Sequence, residues 1–307
     1  MKKLLAILLA TLSMNAIAKE IITVVSPNNA AGTLIPYYQR IVASANALQN
    51  RYEFILAPKP GAQGLVAIQY MDQSPKNRVT AINNGYVELI QQNQIRPENY
   101  VPISSQGDLC WVLISNRGDT AKGVNSLKGQ TDLVIGAVSY SSGSYLTALE
   151  LGSRLGFKVT PVIFKSNFDA LVLMVGDGSV NLVIETPQNY LNMKQKNPAL
   201  QALGINCPTR NPKLPEVRTL KEQGFSVPTL WWNVIANVEM PAERRKDIEN
   251  ILEQAMINIG QKEIFDMIDI SVPVFQKISA QQHHNMKVKE VMEFRQKYAD
   301  QISQGNK

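Results

Sequence analysis

Residues 132–156 read DLVIGAVSYSSGSYLTALELGSRLG. Leu133 to Val138 form an unbroken apolar run ended by small polar residues, the pattern of a strand buried on both faces. Leu146, Leu149 and Leu155 then recur at helical spacing among strong helix formers. The stretch is therefore strand, Ser/Gly turn, helix, with Ser142 as the expected N-cap. The first turn of such a helix aims unpaired N–H groups, and the positive end of its dipole, into the crevice beyond the strand. A phosphate would ask for GxxxxGK[ST] with its lysine, which is missing; a carboxylate needs only amides and hydroxyls. The bland alternative is an ordinary capped helix with no ligand.

The same unit opens the chain. Ile21 to Val25 is a β-branched strand, Pro27 to Thr33 a loop of turn formers, and a helix follows with Thr33 as candidate N-cap. Two more units come next. Tyr52 to Ala57 precedes the loop Pro58–Gly64, and Asn77 to Asn83 precedes Asn83-Asn84-Gly85. Alternating strands and helices imply a mostly parallel, doubly wound α/β sheet whose ligands sit off the carboxyl ends of the strands. From Val101 to Ser115 two strand-like runs, broken at Gln106-Gly107-Asp108, read as a crossing into a second unit. That unit holds the 132–156 stretch, a helix from Ser166 to Gly176, and a strand Leu182 to Ile184 ending at Glu185. Trp231 to Ala236 reads as the return crossing. Pro241 starts a long amphipathic helix, and Ser279 to Gln282 is a capping box.

Composition bounds the function. With 307 residues, 45% hydrophobic and 18% charged, the chain is globular and long enough for two domains. Lys2 and Lys3, an apolar run from Leu4 to Leu12, and Ala16-Ile17-Ala18 make residues 1–18 a secretory signal peptide cleaved after Ala18. Without those lysines the formal charge falls from +6 to +4, with no basic block, so nucleic acid is not expected as a partner. The compartment permits a disulfide, and Cys110 and Cys207 either pair or stay as buried thiols. No metal spacing and no cofactor motif occurs. His283 and His284 are the only histidines, expected on a solvated helix face. Trp231 and Trp232 alternate in a strand, so one lines the crevice or both pack in cores. Tyr140 and Tyr145 flank the Ser/Gly loop as lid or as packing. No GxSxG, HExxH or paired catalytic carboxylates appear.

Four fragments carry a family resemblance. They are Lys59-Pro60-Gly61-Ala62-Gln63-Gly64, Ser141-Ser142-Gly143-Ser144, Val175-Gly176-Asp177-Gly178, and Arg210 through Leu214-Pro215-Glu216-Val217-Arg218-Thr219-Leu220-Lys221-Glu222-Gln223-Gly224. In this order and spacing the chain resembles the Bug-type receptors, periplasmic solute-binding components of tripartite tricarboxylate transporters. The resemblance implies a two-lobed type II periplasmic binding fold. Residues 19–108 and 229–307 would form one lobe, and 109–228 the other. It also implies a small carboxylate held between the lobes, permease subunits and a sensor kinase as partners, and a monomer. Carried over by position, the ligand loops are Pro27–Thr33, with Asn28, Asn29, Ala30, Gly32 and Thr33, and Ser139–Ser144, with Ser139, Tyr140, Ser142, Gly143 and Ser144. Gly85 and Glu185, at strand ends, complete the expected ligand-binding set; no catalytic residue is expected. The chain departs from the family pattern in three places: Asn28-Asn29 replaces its usual Gly-Gly, Leu34-Ile35 stand near its expected Asp, and Asn181 replaces a second usual Asp. An exported hydrolase or transferase on a similar scaffold is the rival class.

Overall fold

The computed structural model describes residues 19–28, 30, 34–268, 270–271 and 278–305. Residues 1–18, expected to be a signal peptide, and Asn29, Gly32 and Thr33 lie outside the described residues. Two sheets carry the molecule. The first has the order β11-β4-β10-β3-β1-β2. Its strands are Glu20–Ser26 (β1), Tyr52–Pro58 (β2), Arg78–Ile82 (β3), Tyr100–Leu109 (β4), Leu230–Asn237 (β10) and Ile270–Ser271 (β11). The second has the order β7-β6-β8-β5-β9. It comprises Trp111–Ser115 (β5), Asp132–Ala137 (β6), Lys158–Ile163 (β7), Leu182–Glu185 (β8) and Gln201–Asn206 (β9). Among the described strands, parallel pairing links β2-β1-β3 and β7-β6-β8, where helices make the crossovers. β4, β5 and β10, next to the passages between sheets, pair antiparallel.

Helices cover both faces of each sheet because the strands are apolar on both sides. Ile35–Leu48 (α1) and Ala242–Ile259 (α7) bury Tyr37, Ile41, Ile248 and Leu252 on one face of the first sheet. Leu65–Asp72 (α2), Gly85–Gln91 (α3) and Ala280–Lys297 (α9) bury Ile68, Leu89 and Val291 on the other. Gln261–Ile268 (α8) and Ala299–Gly305 (α10) flank α7 and α9 in sequence. In the second sheet Gly143–Leu155 (α4) packs Ala148 and Leu151 over Leu133 and Ile135. Asn167–Gly176 (α5) and Pro187–Lys196 (α6) seal the opposite face with Leu171, Met174 and Tyr190.

The expected break at Gln106-Gly107-Asp108 is absent, and β4 runs through it to Leu109. Gly107 takes φ +105 and the pairing with β10 slips by a bulge near Trp232/Asn233, so the strand bends without ending. Gln106 is buried but satisfied: it accepts from the Tyr37 hydroxyl at 2.9 Å and donates to Ser104 Oγ at 2.9 Å. The capping box at Ser279 and Gln282 forms as the sequence indicates. Asn181 is structural: its Oδ1 accepts the Val134 amide at 3.0 Å, tying the approach to β8 onto β6.

Cys110, between β4 and β5, is disulfide-bonded to Cys207, just after β9. The neighbouring residues Trp111 and Asn206 are cross-strand partners, and the Cα atoms of the cysteines lie 5.0 Å apart. The bond closes a loop of 97 residues in sequence, so its loss frees much unfolded-chain entropy. Replacing both cysteines by alanine should lower the unfolding free energy by about 2–5 kcal/mol in urea titration.

His283 and His284 are not on a solvated face; they are 0% and 8% exposed. The inward stripe of α9 is Ala280, His283, His284, Lys287, Val291 and Arg295, which has helical spacing but little apolar character. His284 packs edge-on against Tyr86 and Trp231, with ring centroids 5.3 and 5.8 Å away. Burial, and the neighbouring His283, pull its pKa from 6.5 down to about 4. The folded state thus disfavours the proton that the unfolded chain accepts at 6.5. The stabilisation is complete above that value and is lost as pH falls toward 4. Acidification from pH 7 to 4 should remove roughly 3 kcal/mol through this group. His284→Phe should flatten that part of the stability–pH curve, and an unchanged slope would contradict the assignment.

Candidate functional site

The crevice between the two sheets consists of two chambers that meet at Gln63, Asn83, Val138 and Leu230. The larger is about 620 Å³, within the usual range for small-molecule sites. From the first sheet it receives Pro27 and Asn28, beyond β1, and Pro60–Gly64, beyond β2. From the second it receives Trp111, Lys165–Asn167 and Ile184–Thr186. The smaller, about 140 Å³, lies between the starts of α3 and α4 and is bounded by α9 through Val291, Phe294 and Arg295. Its volume suits the end group of a ligand rather than a whole one.

Each chamber is built from helix starts. Ser142 caps α4: its Oγ accepts from Tyr145 N–H at 3.5 Å and donates to Ser139 O at 2.7 Å. The Ser142 amide is itself taken by Ser139 O, at 3.2 Å. The donors left over are the N–H groups of Gly143 and Ser144, the first two of the helix, which find no acceptor among the described residues. Ser166 caps α5 through Asp169 N–H, at 3.1 Å, and Thr186 caps α6 through Asn189 N–H, at 3.3 Å. The start of α3 is different. Gly85 N–H is taken by Asn83 Oδ1 at 2.8 Å, and the next amide by Asn83 O. Gly85 instead permits contact, since a Cβ there would lie 2.7 Å from the Gln63 carbonyl oxygen.

Among the described residues of the crevice, the loop beyond β2 has the most strained backbone. Gly61, Ala62, Gln63 and Gly64 have φ values of +126, +45, +55 and +98. Left-handed conformation at the two non-glycine residues costs about 1–2 kcal/mol each, and such outliers gather at ligand clamps. Two buried side-chain atoms on the larger chamber's walls have no partner among the described residues, the donor Asn28 Nδ2 and the acceptor Asn167 Oδ1. Burial holds the Glu185 carboxyl above its usual range, while the Thr186 amide, donating to Oε1 at 2.7 Å, works against that shift. In the smaller chamber buried Arg295 donates to Ser141 O at 2.9 Å and to Gln91 at 2.5 Å, with Glu88 3.7 Å away.

The crevice therefore gathers Asn28, Gly85, Ser142, Gly143 and Glu185 from the expected set. Ala30 is exposed and lines neither chamber. Ser139, Tyr140 and Ser144 stand behind the loop: Ser139 Oγ pairs with Ser141 Oγ at 3.1 Å, and Ser144 Oγ with Ser142 Oγ at 3.0 Å. Tyr140 meets Tyr145 edge-on at 6.0 Å, as packing rather than as a lid. The observed N-cap of α1 is Leu34, one residue after Thr33. Neither Trp231 nor Trp232 reaches the crevice; they bury on opposite faces of β10, and Trp111 is the crevice tryptophan. Lys165–Asn167, the Gly61–Gly64 loop, Asn83 and Arg295 join the site without having been expected there. All but Arg295 follow the carboxyl end of a parallel strand, which was the available signal.

A serine, a histidine and an aspartate do meet, but in the core. His283 Nδ1 is 2.9 Å from Ser105 Oγ and Nε2 is 3.3 Å from Asp108 Oδ1. Ser105 and His283 are both fully buried and line neither chamber, so no ester or amide could reach the hydroxyl. Lys287 holds the other Asp108 oxygen at 2.8 Å and donates to Thr229 Oγ1 at 2.6 Å. The cluster thereby joins β4 to the segment leading into β10, the two passages between the sheets.

The family model described as the tripartite tricarboxylate transporter family receptor matches residues 39–297. No curated protein sequence matches significantly. Among solved structures, the periplasmic binding protein BugD superposes with TM-score 0.72 at 17% identity, covering 92% of this chain and 97% of that one. MatC from Rhodopseudomonas palustris, solved with bound malate, gives 0.68 at 19% identity, with coverage of 92% and 98%. R. palustris Rpa4515, solved with adipate, gives 0.70 at 17% identity, with coverage of 92% and 97%. At these identities the structures establish the shared two-lobed fold.

Proposed function

We propose, from the premise that this chain belongs to the tripartite tricarboxylate transporter receptor family, that it captures a small carboxylate in the crevice and hands it to the permease subunits of such a transporter. The chain is a periplasmic solute-binding receptor and not an enzyme. In the proposal the mature protein begins after Ala18 and acts as a monomer, and a sensor kinase is a second client. Residues 19–108 with 229–307, and residues 109–228, are the lobes that close on the solute. The malate and adipate with which two relatives of the same fold were solved favour an acid of that size.

The observation that supports the reading is the unclaimed amide of Gly143, on a chamber beside the buried guanidinium of Arg295, with the unclaimed amide of Ser144 next to it in the same helix turn. One carboxylate lodges there, and the body of the ligand extends into the larger chamber toward Asn28 and the Gly61–Gly64 loop. Charge-assisted hydrogen bonds contribute about 1.5–3 kcal/mol each and a helix terminus about 0.3–1 kcal/mol. A handful of them, less the cost of immobilising a small solute, reaches the roughly 8 kcal/mol of a micromolar receptor. Closure strengthens each contact as water leaves.

In a thermal-shift screen of the mature protein against mono-, di- and tricarboxylates, amino acids and aromatic acids, one class should raise the melting temperature and be recovered unchanged. Turnover of that compound would contradict the receptor reading. Gly143→Pro removes one amide at a helix position where proline is well tolerated, after a residue, Ser142, already at φ −66 and ψ 150. It should weaken acid binding by about tenfold or more, with Gly143→Ala close to the parent protein and all three equally stable. Equal affinity of the proline and alanine variants would remove the amide from the site.

A further inference from the structure

The larger chamber holds a carboxylate, Glu185, that forms no ion pair among the described residues. We infer that the ligand supplies the missing positive group, being an amino-carboxylate zwitterion rather than a plain di- or tricarboxylate. The inference rests on the receptor reading and narrows it.

Glu185 ends β8 on the chamber wall, and its Oε1 accepts from the Thr186 amide. No lysine, arginine or histidine among the described residues forms an ion pair with it. The other charged residue on the chamber's walls is Lys165, which is exposed. Asn167 Oδ1, buried and unpartnered, adds an acceptor to the same wall as Glu185. On the facing wall the unpartnered group is a donor, Asn28 Nδ2, beside the Gly61–Gly64 loop. Of the chamber's unpartnered buried side-chain atoms, the acceptor thus lies with Glu185 on the second-sheet side and the donor on the first-sheet side, while Lys165, also on the second-sheet side, is exposed and forms no ion pair with Glu185. A ligand with carboxylates alone sets negative charge against Glu185. An ammonium meets Glu185 and Asn167 Oδ1 and leaves the carboxylates to the amides, Asn28 and Lys165.

The test is calorimetric titration, at pH 7, of the mature protein freed of bound solute. Three pairs differing by one amino group are compared: aspartate and succinate, glutamate and glutarate, alanine and propionate. The amino member of at least one pair should bind at least tenfold tighter. Glu185→Gln keeps an oxygen for the Thr186 amide while removing the charge. It should cut that preference at least tenfold, with the melting temperature of the free protein unchanged. Tighter or equal binding of the acids without the amine overturns the inference and leaves the receptor reading intact. So does a Glu185→Gln variant that loses both members of a pair equally, since the residue would then only position its loop. If no acid, aminated or not, binds in this series or in the broader screen, both readings fall.

Discussion

A helix that follows a strand begins with amides that its own turns cannot satisfy. The crevice is organised by that constraint. Ser142, Ser166 and Thr186 each use a hydroxyl to cap the third amide of a helix, leaving the earlier positions for something outside the helix. All three starts lie off the same edge of the second sheet, because β6, β7 and β8 are parallel and end together. The first sheet answers with the Gly61–Gly64 loop, whose left-handed residues store strain at the crevice wall. Donors fixed in this way need no reorganisation when an anion arrives, and exclusion of water increases their effect.

Such a crevice works only if its two walls are held in register. α9 packs on the first sheet through His284 and Val291, yet its far end reaches the second. Arg295 donates to Ser141 O behind the α4 start, and Lys297 and Tyr298 both hydrogen-bond buried Glu150 of α4. Burial pushes the Glu150 carboxyl upward, but these hydrogen bonds and the charge of Lys297 outweigh it and hold the group below its usual range. Lys287 joins Asp108 and Thr229, which flank the two passages between sheets. A polar stripe on one helix thus ties the joint and the site together. Replacing one member of such a buried network leaves its partner charged and unpaired, which is costly.

The strand–loop–helix units were legible in the sequence because each carries its own signals. The Ser142 and Ser166 caps, the capping box at Ser279 and the stop near Gly176 are all local chemistry. Strand order is not local, so the sequence named several strand ends without saying which would be neighbours. Hence Lys165–Asn167 and Gly61–Gly64 were recognisable as loops but not as walls of one chamber. His283 and His284 were misread for a different reason: on a helix whose inner stripe also carries lysine and arginine they look solvated, and only a polar crossing beneath them makes burial tolerable. Gly107 misled similarly, marking a bulge within β4 where a break was expected. Hydrogen-bond bookkeeping separates Gly143 from Ser142 and Gly85, whose amides are already taken within the protein.

The most direct measurement is the amide spectrum of isotopically labelled mature protein, recorded free and saturated with the tightest-binding acid. The account predicts large downfield proton shifts at Gly143 and Ser144 and slowed solvent exchange there, with smaller changes along residues 61–64 and little at Ser142 and Gly85. Unmoved Gly143 and Ser144 amides in a saturated sample would contradict it.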